Sequence, residues 1–194
     1  MPRQVFLYDP PDRFVIGTVG QPGQRAFFLQ ATGGGRVTSV ALEKEQVALL
    51  AERVDELLDE VLRRSGGGAP VPAIPPGDID DTAPLDQPIL EEFRVGAMAL
   101  AWDAEAERVV IEAQARVGDE DEGEPEPFPE DDNPEGPDLL RVRISGAQAR
   151  AFAQRALSVV GAGRPSCPFC GLPIDAEGHI CPRQNGHRHP TLET

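Results

Sequence analysis

The first forty residues alternate between apolar and polar positions in short runs, the period of strands rather than helices. Phe6 and Tyr8 open an extended segment that Asp9-Pro10-Pro11-Asp12 turns, because proline fixes φ and offers no ladder donor. Residues 14–19 and 25–31 flank Gly20-Gln21-Pro22-Gly23, which reads as a hairpin, and Gly33-Gly34-Gly35 leads to a further strand over 37–42. From Glu43 the period changes. Val47, Leu50, Ala51, Val54, Leu57, Leu58, Val61 and Leu62 recur every three or four residues as the stripe of an amphipathic helix, and Gly66-Gly67-Gly68 ends it.

The same order then returns. Residues 93–102 and 108–115 read as a second hairpin turned at 103–106, residues 140–144 alternate as a half-buried strand, and Ser145 caps a helix over about 146–160. The halves can be superposed in sequence with Phe14 and Gly17 on Phe93 and Gly96, and with Gln46, Ala51 and Arg53 on Gln148, Ala153 and Arg155. This suggests an internal duplication. The expected fold is α+β: an antiparallel sheet with two helices on one face, built from a repeated strand-strand-strand-helix unit, plus a small C-terminal metal-binding tail. The expected boundaries are 1–64 for the first unit, 65–88 for a Gly/Pro-rich linker, 89–162 for the second unit with an acidic loop at 117–138, and 163–194 for the tail. The linker composition predicts little apolar burial.

Charge changes this picture in one place. The chain carries −15, yet residues 119–138 hold eleven Asp or Glu and no Lys or Arg, so the rest carries only −4. A nearly neutral body without a basic stripe disfavours nucleic-acid binding. The acidic loop lacks the spaced ligands and glycine of a calcium loop and reads as a solvated insertion. No charged-plus-apolar leader opens the chain, and no apolar run approaches the roughly 20 residues that span a bilayer, so a soluble, cytoplasmic protein is expected with no membrane partner.

Three cysteines packed near the C-terminus argue for a metal site in a reducing compartment rather than a disulfide framework. Cys167-Pro168-Phe169-Cys170-Gly171 places two thiolates on one turn, and Cys181 supplies a third. His179 lies two residues before Cys181, a spacing that puts both side chains on one side of an extended segment, while His187 and His189 could close the site from a return loop. Three thiolates and one imidazole fill a structural zinc shell and leave no open position for catalysis. A reactive Cys-x-x-Cys pair is the redox alternative, disfavoured by Pro173 and the third cysteine.

Little else carries chemistry. Gly33-Gly34-Gly35 lacks the Lys-Ser or Lys-Thr of a phosphate loop and reads as a hairpin turn. Trp102 reads as packing. All three histidines lie in the tail, so the main body has no imidazole acid or base.

Residues 14–20, the strand pair through Gln30, and the ending Cys167-Pro168-x-Cys170-Gly171 with Gly178-His179-x-Cys181-Pro182-Arg183 resemble the actinobacterial domain of unknown function 3090 family over the whole chain. The family's Gly-His-x-Cys-Pro-Arg motif maps onto Gly178 to Arg183, and the resemblance implies a zinc-ribbon-like tail with His179 as fourth ligand and His187 as the alternative. It implies no catalytic residues. It also implies protein partners, a histidine-phosphatase-like and a lipid-kinase-like protein.

The expected function is therefore a non-enzymatic interaction or accessory protein that binds structural zinc. The competing expectation is an enzyme or small-ligand binder with a cleft between the duplicated units at a pseudo-twofold axis, using carboxylates and arginines of the body, where Arg25 and Arg108 sit at comparable strand positions and Glu112 lies nearby.

Overall fold

Two helices begin by one device. Gln46 returns its side-chain oxygen to the backbone N–H of Glu43 at 2.8 Å, and Gln148 does the same to Ser145 at 3.0 Å, while the Ser145 hydroxyl accepts from the Gln148 amide at 3.2 Å. The computed structural model describes residues 3–79, 81–118, 136–163, 167–170, 174, 179, 181 and 183. The strands are β1 (Val5–Tyr8), β2 (Arg13–Val19), β3 (Ala26–Gly33), β4 (Arg36–Leu42), β5 (Glu91–Asp103), β6 (Arg108–Ala115) and β7 (Leu139–Ile144); the helices are α1 (Lys44–Arg64) and α2 (Gly146–Gly161).

The strands form one mixed sheet in the order β1-β7-β6-β5-β4-β3-β2. The expected all-antiparallel sheet needs correction at two places, since β4 pairs with β5 and β1 with β7 in parallel. Hairpins make neighbours antiparallel, but β4 and β5 are joined through α1, and a helical crossover returns the chain to the end where the previous strand began. The two strand-strand-strand-helix runs therefore lie side by side in the same order and direction.

One face of the sheet packs on both helices. Ile16, Leu29, Val40, Ile111 and Val142 meet Val47, Val54 and Leu58 of α1 and Phe152, Ala153 and Ala156 of α2 in one core. Arg150 ties the helices together through Asp55 at 2.9 Å and Asp59 at 2.7 Å. The sheet is strongly curled: the Tyr8 hydroxyl on β1 lies 2.7 Å from that of Thr38 on β4, four strands away in the sheet order. The Gly34-Gly35 turn joins β3 to β4 with φ of 58° and 75°, a two-residue hairpin loop that needs positive φ at both positions.

The 65–88 segment is fastened to the body, although its composition reads as a linker. Val71 is buried against α2, where a Cβ on Gly146 would come 2.9 Å from its Cγ2. Leu85 reaches the opposite sheet face and joins Val15, Phe28 and Ala41 in a small second core. Gln30 accepts from the Asp86 amide at 2.8 Å, and Arg13 donates to Asp81 at 2.5 Å. Arg155 donates to Ile16 O at 2.7 Å, Ala83 O at 2.7 Å and both backbone and side-chain oxygens of Asp81. Among the described residues no helix is long and apolar enough to cross a membrane.

Candidate metal centre

Beyond the end of α2, Cys167, Cys170, His179 and Cys181 bring their donor atoms within 4.8 Å of one another. The Cys167 and Cys181 sulfurs lie 3.8 Å apart, and the Cys170 sulfur lies 3.2 Å from His179 Nε2. Metal–sulfur bonds of ~2.3 Å at tetrahedral angles place two sulfurs ~3.8 Å apart, and a sulfur and an imidazole nitrogen ~3.5 Å apart. The sulfur pair meets that spacing. The sulfur–nitrogen pair is a few tenths closer, within reach of a thiol–imidazole hydrogen bond. Three soft thiolates and one imidazole suit zinc over harder cations.

The turn geometry favours ionised sulfur. Burial pushes the Cys167 thiol up, but the backbone amides of Cys170 and Phe169 and the neighbouring Cys170 and Cys181 thiols outweigh it, holding the group below the ordinary thiol range. Such N–H donors to a ligating sulfur are what a metal-binding turn supplies. Arg183 donates to Phe169 O at 3.0 Å and ties the return segment to the turn. Cys167 and Cys181 are buried, whereas Cys170 and His179 are half-buried. All three cysteines are free thiols.

His179 is the histidine found with the three cysteines. His187 and His189 lie outside the described residues, as does most of the expected acidic loop, residues 119–135. The residues flanking that loop meet, with the Ala115 amide donating to Asp138 O at 2.8 Å, and Arg3 Nε near the N-terminus donates to Pro137 O at 2.9 Å. Trp102 packs half-buried against the edge of the core.

Arg25, Arg108 and Glu112 do not converge. Arg25 donates to Val159 O at 3.2 Å, Arg108 to Glu107 O at 3.3 Å, and the fully buried Glu112 pairs with Arg141 across β6 and β7. Sequence reasoning missed a different cluster. Arg13 of β2 and Arg155 of α2 meet on Asp81, beside a cavity of about 220 Å³ lined also by Phe14, Ile144, Gln148 and Phe152. Only the pairing of Arg155 with Arg53 in the duplicated pattern touched it, and Asp81 carries no motif.

A family model described as "Protein of unknown function (DUF3090)" matches residues 6–181, a span that includes all four residues of the centre. No curated protein and no solved structure matches the chain.

Proposed function

The chain belongs to the domain of unknown function 3090 family, and we propose that it is a zinc-binding accessory protein whose metal-organised tail serves contact with another protein. The observation that carries this reading is the convergence of three thiols and one imidazole in a closed, four-donor cluster. A centre with all four positions filled by protein supplies folding energy and offers no vacant site for a substrate. The tail is too short for a sufficient core of its own, so bound zinc is what would organise it. Retained thiols suit a reducing compartment, in keeping with a cytoplasmic setting. The partners suggested by the family resemblance are a histidine-phosphatase-like and a lipid-kinase-like protein.

A second reading, a small-ligand binder, has the cavity between β2 and α2 in its favour, since it lies between the two repeated units. Its about 220 Å³ is below the ~300–1,000 Å³ usual for ligand pockets. Its arginines already donate to oxygens of the 81–84 segment. The accessory reading is therefore preferred. Affinity capture from native cells with the wild-type chain and with Cys170→Ala separates the two. Partners lost only with Cys170→Ala support the tail as the contact; partners retained equally by both place the contact elsewhere.

A further inference from the structure

We propose that the metal centre is also an oxidant-sensitive switch, opened by a two-electron oxidant such as hydrogen peroxide through Cys170. The inference rests on the zinc reading above. The chain's three cysteines all sit in this one cluster, so its thiol chemistry is concentrated there. Their exposure differs. Cys167 and Cys181 are 5% and 3% exposed, whereas Cys170 is half-buried and is the residue of the three most open to an oxidant. Because every donor atom lies within 4.8 Å of the others, a small displacement brings a second sulfur to the ~2.05 Å of a disulfide.

The step balances. The Cys170 thiolate attacks one peroxide oxygen, the O–O bond breaks, and sulfenic acid and hydroxide result. A neighbouring thiolate, Cys167 or Cys181, then attacks the Cys170 sulfur, the S–O bond breaks, and a second hydroxide leaves. Two sulfurs have together lost two electrons, and peroxide has gained them. One thiolate and His179 remain, too few donors to hold the metal or the tail fold that depends on it. Thiol reductant plus zinc reverses the change, because a disulfide is on the reducible part of the oxidation ladder.

The test uses the full-length, zinc-loaded chain, with metal content measured before oxidant is added. Treatment with a few equivalents of peroxide is expected to release the zinc to a chromogenic chelator, to lower the titratable thiols from three to one, and to yield a disulfide-linked peptide containing Cys170. Dithiothreitol followed by zinc should restore both metal and thiols. Retention of zinc and of all three thiols would overturn the switch. A Cys167–Cys181 disulfide with Cys170 reduced would overturn Cys170 as the point of entry, and sulfinic acid without any disulfide would overturn reversibility. A chain that carries no zinc before oxidant is added instead defeats the zinc reading on which the switch stands.

Discussion

Gln46 and Gln148 occupy the third position of their helices and do the same work, and Ala51 and Ala153 are both fully buried, so these paired positions were legible in the sequence as equivalent. Arg53 and Arg155 part company. Arg53 is exposed in an i,i+3 pair with Glu56, whereas Arg155 is largely buried under the 81–84 segment. Periodicity places a residue on a helix but not against a particular neighbour, which is why the second role was hidden. The paired glycines differ in the same way. A Cβ on Gly17 would come 2.5 Å from Cγ of the buried Leu85, a side chain that could repack, while a Cβ on Gly96 would come 2.7 Å from the Arg116 Cα, where only a backbone shift could relieve it. Gly96→Ala is accordingly expected to lower stability by about 1–3 kcal/mol, and Gly17→Ala by less. Denaturant titration of both variants measures this, and an equal or reversed order would refute the contact argument.

At the scale of elements, the seven strands and two α-helices of the described residues were readable from apolar period and turn residues, because those signals are local. The pairing of β4 with β5 was not. It depends on how the α1 crossover packs onto the sheet, and no local pattern records that. The 65–88 segment was obscured for a related reason: a few anchors, Val71 and Leu85, and hydrogen bonds from distant arginines hold it, and composition averages over such contacts. Its fastening is sensitive to acid. The hydrogen bond from Arg13 lowers the Asp81 pKa, burial opposes this, and the Ala83 amide and the charges of Arg13 and Arg155 lower it further. A carboxylate depressed in the folded state contributes its full stabilisation above its ordinary value of 3.8 and loses it as pH falls through the folded value. Asp81→Asn should therefore melt below the wild type at pH 7, with the gap narrowing only below about pH 3.8. A gap that is constant from pH 7 into that acid range would show that the ionised carboxylate is not what fastens the segment.

At the scale of the whole molecule, the proposed reading gives the body and the tail different sources of stability. The body buries two helices against a seven-stranded sheet, and the cysteine cluster is not part of that core. Cys167, Cys170, His179 and Cys181 bring their donor atoms together in the tail, and this cluster was legible in the sequence because the spacing of cysteines and histidine marks a candidate metal site directly. Chelation should thus expose residues from about 164 onward to protease while leaving the melting of the body almost unchanged. Loss of the body's transition on chelation would mean that the two are one cooperative unit. The most direct measurement is the metal content of the purified chain and of its histidine variants by elemental mass spectrometry. One zinc per chain is expected in the wild type, with marked loss in His179→Ala and retention in His187→Ala. Absence of metal from the wild type, or loss in His187→Ala with retention in His179→Ala, would contradict the centre described here.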